Sequence, residues 1–273
     1  MNIVCIEQKL TIINEKSHVA VYDFDFELFF NCTHPVYLPP DEICVLRIGA
    51  IKDYAIKYEK KQSIGLKLIN SPQEHRRASE LEQWYPLIRD ITPRSICVNE
   101  FPPVDEIEKE FGWPIFLKGS RQTSKHNPDL SIIKNEDHYG RVRHQYHEDS
   151  ILNWQKIVIR EFVELEPVAG SVPGKIVPSL EYRTFWWYGK CVGCGQYWHQ
   201  IARYETADID IEKGLKLAGE ASLKVNVPFL VIDIAKTVGG QWLVIECNDG
   251  QESGYAGIIP QILWQNILSH IHP

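Results

Sequence analysis

The amino-acid sequence predicts an α+β fold in its long C-terminal part, preceded by a small α/β unit. Two observations predict this fold. Two pairs of apolar runs are joined by short glycine-containing turns, which is the signal of antiparallel hairpins. Amphipathic stretches with apolar side chains at helical spacing flank these pairs. We expect an N-terminal unit over residues 1–90 and a second domain over residues 91–273, with a boundary near Pro93.

The N-terminal unit contains two predicted strands and one predicted helix. Residues 22–30 alternate aromatic or leucine side chains with acidic ones, and this period of two predicts a half-buried strand. Residues 43–48 are mostly apolar and predict a buried strand. After a break at residues 70–72, apolar side chains share one face of a predicted helix that reaches Ile88, and Pro86 should kink or end it.

The C-terminal part contains two predicted hairpins among helices and single strands. The predicted elements are a helix over 104–111 closed by Gly112, a strand over 115–118, a strand over 156–163, a hairpin of 182–188 with 191–198, a helix over 212–225, a hairpin of 229–235 with 242–247, and a final helix over 258–271.

The composition is that of an ordinary soluble globular protein. Hydrophobic residues make up 44% of the 273 residues, and charged residues make up 24%. The net charge is −7 and the basic residues are scattered, which disfavours a general nucleic-acid binder. The first residues lack the pattern of a signal peptide, and no apolar stretch has the length of a membrane span. We expect a cytoplasmic protein without a membrane partner.

The seven cysteines mostly lie in apolar runs, which predicts reduced, buried thiols. Cys191 and Cys194 have the CxxC spacing of some zinc and redox sites. A zinc site needs two further ligands, and the sequence has no second CxxC or HxxxH pair. We therefore interpret this pair as part of a strand.

Acidic and amide side chains are expected to converge at the second hairpin. Asp233 lies within an apolar strand, and Glu246 and Asn248 end the partner strand on one face because side chains alternate with period two. Hard oxygen ligands of this kind suit Mg²⁺, and an unpaired carboxylate in an apolar strand is costly. The alternative is that Asp233 faces solvent and Glu246 simply ends a strand. Periodicity alone leaves both interpretations open.

The spacing of these three residues resembles the metal-binding Asp…Glu-x-Asn hairpin of the ATP-grasp superfamily, which includes D-alanine:D-alanine ligases and RimK-like glutamate ligases. The resemblance covers about residues 70–254. It implies an ATP-grasp fold, in which two α+β lobes clasp ATP. It also implies that Asp233, Glu246 and Asn248 bind Mg²⁺.

Two basic residues resemble the family's phosphate-binding residues. Lys118 ends a strand, as the family's nucleotide-contacting and catalytic lysine does. A small-residue loop that includes Ser120 follows it and would cover the phosphates, although it has one glycine where many family members have several. Arg77 stands sixteen residues before Pro93, where the family usually has a first phosphate-binding lysine.

Residues 157–164 resemble the family's hinge strand, which would bind the nucleoside. By this resemblance, Glu161, Phe162 and Val163 meet the adenine, with Glu161 and Val163 using backbone groups. Glu164 or Glu166 would bind the ribose hydroxyls.

Two arginines resemble residues of the RimK-like branch. Arg183 is expected to contact the transferred phosphoryl group, together with the nucleotide, and Arg203 to bind the substrate's carboxylate. The loop 249–254 is expected to form the far wall of that pocket. For Arg203 the alternative of a surface ion pair, with Glu205 or Asp208, is equally open.

The resemblance implies an ATP- and Mg²⁺-dependent ligase that joins a carboxylate to an amine through an acylphosphate. Its substrates would be small molecules or peptides. A phosphotransferase that stops after moving the γ-phosphoryl group is one alternative, and a non-catalytic nucleotide-binding module is another. The complete metal-binding set argues against the last, because a module that only binds nucleotide does not need it.

Overall fold

The computed structural model describes residues 2–15, 24–34, 42–123, 128–170, 177–204 and 210–271. Within these ranges the chain forms three four-stranded sheets with helices packed on them, so the predicted α+β class is confirmed. None of the helices in these ranges combines the length and the apolar character needed to cross a membrane.

The N-terminal sheet is mixed. Its elements, with the helix that follows, are β1 (Asn2–Ile6), β2 (Leu10–Asn14), β3 (Cys32–Thr33), β4 (Ile43–Arg47) and α1 (Tyr54–Gln62). The strand order is β3-β1-β2-β4, in which β1 is antiparallel to both neighbours and β2 is parallel to β4. The buried strand predicted at 43–48 is confirmed as β4.

The strand predicted over residues 22–30 is wrong where the structure describes it. Phe26–Leu28 is a short 3₁₀ helix, and the segment's first two residues lie outside the described ranges. The apolar side chains form a local aromatic cluster instead of one sheet face, because Phe24 contacts the ring of Phe26 at 5.0 Å and that of Phe29 at 5.1 Å. Leu28 is left 72% exposed.

Two short helices stand where one was predicted after residue 72. They are α2 (Pro72–Ser79) and α3 (Leu81–Ile88). Glu80 between them is extended, with φ −92° and ψ 119°, and interrupts the helical hydrogen bonds. Pro86 lies inside α3, which ends two residues later, as expected.

The middle sheet is antiparallel, with the strand order β5-β8-β6-β7. Its elements and helices are β5 (Ser95–Val98), α4 (Val104–Phe111), β6 (Ile115–Gly119), β7 (Ile132–Ile133), α5 (Glu136–Glu148) and β8 (Ile157–Glu161). Leu117 and Ile159 pack with Tyr139 and Val142 of α5 in one core. The helix predicted before Gly112 is confirmed, and Gly112 ends it with a φ of 67° that favours glycine.

The C-terminal sheet is also antiparallel, with the order β10-β9-β11-β12. Its elements and helices are β9 (Glu181–Trp187), β10 (Lys190–Gln196), α6 (Ile211–Val225), β11 (Phe229–Lys236), β12 (Trp242–Asp249) and α7 (Pro260–Ser269). Both predicted hairpins and both predicted helices are confirmed. Cys191 and Cys194 lie in β10, as expected, but both are exposed and neither forms a disulfide.

The two faces of the C-terminal sheet are covered differently. Leu230 and Ile232 pack in a core with helices α2, α3 and α6. Phe229 and Val231 point to the opposite face and pack with α7 and with the N-terminal sheet. Because side chains alternate along a strand, Asp233 continues the second face, beyond the part that these apolar side chains fill.

Candidate functional site

The register of the C-terminal sheet brings the predicted metal ligands together. Asp233 in β11 pairs with Glu246 in β12, and on its other side it pairs with Arg183 in β9. Asn248 pairs with Val231, one side-chain repeat further along the same face. The carboxylate of Asp233 is 1% exposed, so the alternative that it faces solvent does not hold.

Arg183 compensates the charge of Asp233. Its Nε and Nη2 donate to the two carboxylate oxygens at 2.9 and 2.7 Å, a bidentate pair. Its Nη1 donates to the carbonyl of Gly254 at 3.1 Å, and its guanidinium lies over the ring of Tyr197, 4.9 Å from the centroid. Burial lowers the pKa of Arg183, but the neighbouring Asp233 more than offsets this and raises it. Arg183 is therefore a fixed cation.

Lys118 compensates the charge of Glu246. It lies near the end of β6, and its buried Nζ donates to the Glu246 carboxylate. This ion pair joins the middle sheet to the C-terminal sheet at the point where Asp233 lies. Two carboxylates and two cations thus alternate along the junction of the two sheets.

The donor set fits Mg²⁺ bound together with a polyphosphate. In the described part of the chain, no group of three or more His, Cys, Asp and Glu side chains is placed to hold a metal, and this set has two carboxylates and one amide. Mg²⁺ usually takes only one or two protein carboxylates and completes its shell with waters and phosphate oxygens. Each carboxylate oxygen keeps a second lone pair beyond the one that Arg183 or Lys118 uses.

The larger cavity at this junction has a volume of about 390 Å³. Residues 161–165 line it, together with Lys118, Glu246 and mainly apolar side chains such as Phe116 and Ile132. Within the described ranges, no hydrogen bond is made by the backbone of Val163. A planar, heteroaromatic ligand would find apolar walls and backbone hydrogen-bonding groups here.

Arg160 also lines the larger cavity, and the sequence analysis did not identify it. Its Nε donates to Ser95 Oγ at 2.9 Å and its Nη1 to the carbonyl of Ile245 at 2.7 Å. Its Nη2 has no hydrogen-bond partner in the described part of the chain, and burial lowers its pKa to about 10. A buried donor of this kind suits an anionic ligand. A charge inside the apolar run before Glu161 was the available signal, the same one that identified Asp233.

The smaller cavity has a volume of about 220 Å³ and shares Thr123 and Glu246 with the larger one. Its charged lining consists of Arg121, Arg183, Glu246 and Glu252, and Asn248 also contributes. The loop 249–254 forms one wall through its last three residues, as expected. Two chambers of different chemistry therefore meet at Glu246.

Arg77 does not lie at this junction, which corrects its expected place beside the phosphates. Its Nη1 donates to the carbonyl of Asn226 at 3.3 Å, and its side chain lines a separate groove with Tyr188. The reason is helical geometry. His75 of α2 bonds to Asp249 at 3.0 Å on the site's side, and two residues further along a helix a side chain points about 200° away.

Arg203 does not line either cavity. It is exposed, and its backbone N–H donates to the carbonyl of Ala169 at 2.8 Å in an isolated β-bridge. Its expected role with the substrate carboxylate is therefore corrected, since Arg121 and Arg183 hold the cationic positions in the smaller cavity. Glu205 and Asp208, its alternative partners, lie outside the described residues.

Two further nucleotide-binding candidates face elsewhere. Ser120 is buried and its hydroxyl donates to Glu82 of α3, so it lines neither cavity. Glu166 pairs with Lys236 at 3.4 Å, whereas Glu164 lines the larger cavity. Of the two ribose candidates, the structure brings only Glu164 to the cavity.

Solved structures similar to this one share its three-dimensional arrangement at low sequence identity. The RimK domain protein ATP-grasp from Sphaerobacter thermophilus DSM 20745 superposes with a TM-score of 0.56 and 14% identity, covering 86% of this chain and 85% of that one. The D-alanine–D-alanine ligase from Bacillus anthracis, complexed with ATP, gives a TM-score of 0.58 and 14% identity over 84% and 78%. The ATP-grasp ligase PsnB, complexed with a phosphomimetic variant of its minimal precursor, Mg and ADP, gives 0.51 and 12% over 84% and 77%.

These similarities show that the chain has the ATP-grasp fold. No curated protein matches the chain in sequence. A family model described as an ATP-grasp domain, the third family of its clade, matches residues 70–267, which are most of the chain. The chain therefore belongs to this family of ATP-grasp domains.

Proposed function

We propose that this protein is an ATP- and Mg²⁺-dependent ligase that activates a carboxylate as an acylphosphate and joins it to an amine. One observation carries the proposal. The two cavities meet at Glu246, beside Asp233 and Asn248. A nucleotide in the larger cavity would extend its phosphates to this edge, and a second substrate in the smaller cavity would face them.

The lining of the larger cavity supports a nucleotide as its ligand. Phe162 and Val163 offer apolar and backbone contacts for the adenine, and the carboxylate of Glu164 is available for the ribose. Lys118 and Arg160 lie at the same cavity and would bind the phosphates. Asp233, Glu246 and Asn248 would hold Mg²⁺, which supplies charge compensation for the phosphate oxygens when it is bound.

The smaller cavity supports an acid as the attacking substrate. Arg121 and Arg183 would bind its carboxylate, and Arg183 is already fixed by Asp233. A carboxylate oxygen forms a bond to the γ-phosphorus while the bond from that phosphorus to the bridging oxygen breaks, and ADP leaves. The fixed guanidinium of Arg183 stabilises the charge on the transferred phosphoryl group. The protein's part is positioning and charge stabilisation, without a protein nucleophile.

Two relatives support the choice of reaction. The Bacillus anthracis structure is a D-alanine–D-alanine ligase complexed with ATP, and the PsnB structure is an ATP-grasp ligase complexed with Mg and ADP. A phosphotransferase would use the same larger cavity, so the product decides between the two functions.

Trapping with hydroxylamine tests the proposal. The protein is incubated with ATP, Mg²⁺, hydroxylamine and a panel of carboxylic acids that includes amino acids and short peptides. We expect hydroxamate and ADP to form in equal amounts with at least one acid. Glu246→Gln should slow both by orders of magnitude, because it weakens a metal ligand. Glu15→Gln is the matched control, since Glu15 pairs with Lys57 and Lys61 in the N-terminal unit, outside both cavities.

The product distinguishes the alternatives. A stable phosphorylated product without hydroxamate would make the protein a phosphotransferase. ATP that binds but is not consumed with any acid of the panel would favour a non-catalytic module.

A further inference from the structure

We infer that Glu252 binds the amine of the second substrate, and that the N-terminal unit completes this amine site. The inference rests on the proposed ligase function. It adds which side chain receives the nucleophile and what the N-terminal unit does for the reaction.

The carboxylate of Glu252 is held at the wall of the smaller cavity. Only 5% of its side-chain surface is exposed. Its Oε2 accepts from Arg121 Nη2 at 2.9 Å, its Oε1 accepts from the backbone N–H of Ile51 at 3.3 Å, and His75 Nε2 lies 3.8 Å away. Burial raises the pKa of Glu252, while His75 and Arg121 oppose this. These contacts fix the carboxylate and leave it lone pairs for a ligand.

The N-terminal unit builds the wall in which Glu252 lies. Arg47, at the end of β4, donates to the carbonyls of Gly250 and Ser253 at 2.5 and 2.8 Å. The backbone N–H of Leu46 donates to Gln251 Oε1 at 2.9 Å. Ala50 lines the smaller cavity directly. The loop after the metal ligands is therefore fixed against the end of the N-terminal sheet and the residues that follow it.

The charges of the smaller cavity separate an acid site from an amine site. Two carboxylates line it, Glu246 and Glu252. Glu246 lies at the junction with the nucleotide cavity and pairs with Lys118 there. Glu252 is thus the carboxylate that remains for a cationic substrate group. It would repel the acid substrate, which belongs beside Arg183, and attract a protonated amine.

The coupling step balances with Glu252 in this role. The ammonium ion binds to Glu252 and loses one proton to this carboxylate, which returns it to solvent. The nitrogen then forms a bond to the acyl carbon of the acylphosphate, and the bond from that carbon to the phosphate oxygen breaks. The amide nitrogen loses a second proton to the departing phosphate. The products are an amide and inorganic phosphate.

Two amines that differ in charge test the inference. Hydroxylamine is uncharged at neutral pH and does not need a carboxylate to bind it, whereas amino acids and primary alkylamines are cationic. With the acid found in the trapping assay, Glu252→Gln should keep the hydroxamate rate within about 2-fold and lose about 100-fold in kcat/KM for the cationic amines. Glu252→Asp should recover part of this loss, and Glu15→Gln should change neither rate.

Each other outcome overturns the inference. An equal fall of both rates in Glu252→Gln would mean a structural role, and unchanged use of cationic amines would exclude Glu252 from the amine site. If Glu252→Gln does not fold, Glu252→Asp takes its place, and its KM for the amine must rise while the hydroxamate rate stays constant. Wild-type protein that forms no hydroxamate refutes the ligase function itself. Hydroxamate without any coupling of cationic amines refutes only the amine site.

Discussion

Arg47 offers a quantitative test of how the loop 249–254 is held. The side chain is 1% exposed and donates two short hydrogen bonds to carbonyls of that loop, at 2.5 and 2.8 Å. A hydrogen bond from a charged donor contributes about 1.5 kcal/mol or more, and a buried carbonyl that loses it stays unpaired. Arg47→Met keeps an unbranched apolar stem but removes both donors. The loop should therefore lose about 3 kcal/mol against local opening, since two such bonds are removed.

Hydrogen exchange with mass spectrometry measures this opening directly. A loss of about 3 kcal/mol speeds the exchange of protected loop amides by roughly two orders of magnitude, because about 1.4 kcal/mol corresponds to a factor of ten. Arg76→Met is the control, since Arg76 forms an exposed pair with Glu80 that is worth about 0.5 kcal/mol at most. Unchanged exchange of peptides over 249–254, or an equal loss in the middle sheet, would refute the reasoning.

Three further predictions concern the metal site and the ion pairs. ATP should raise the melting temperature slightly without a divalent cation and clearly with Mg²⁺, and Glu246→Gln should remove the added shift; equal shifts would contradict the metal site. Lys118→Met should weaken ATP binding in calorimetry and destabilise the ligand-free protein, because Glu246 loses its buried cation; the double variant with Glu246→Gln should recover stability. Burial raises the pKa of Glu15, but Lys57 and Lys61 more than offset this and lower it from 4.5. Its contribution is present above 4.5 and is lost as the pH falls through the lower folded value, so urea titrations of wild type and Glu15→Gln should converge in acid.

The elements that the sequence predicted correctly carry local signals. The turn at Tyr188 and Gly189, where both residues have positive φ, joins β9 to β10 as expected of a two-residue hairpin. The strand that contains Asp233 was identified because a charge in an apolar run needs a partner. The segment around Phe26 failed because its alternation served an aromatic cluster, which period two does not distinguish from a strand.

Spacing along the chain located residues less well than hydrogen-bonded register did. Glu246 and Asp233 were placed by the pairing of two adjacent strands, and the structure aligns them. Arg77 and Arg203 were placed by their distance in sequence from other motifs. Such a distance does not determine which side of a helix faces the site, as Arg77 shows, or whether a segment passes the cavity. The division of the chain near residue 90 stays a prediction.

The smaller cavity shows what a single sequence withholds. Its wall combines Ala50, Arg121 and Glu252, which no local pattern connects. Arg47 reaches a carbonyl 203 residues away, and Glu252 accepts a hydrogen bond across 201 residues. Each of these polar side chains is ordinary in its own segment, and its role exists only where the segments meet. An N-terminal unit that supplies both a wall and the clamp for Glu252 is therefore part of the substrate site, and removing its contacts should affect the amine before it affects ATP.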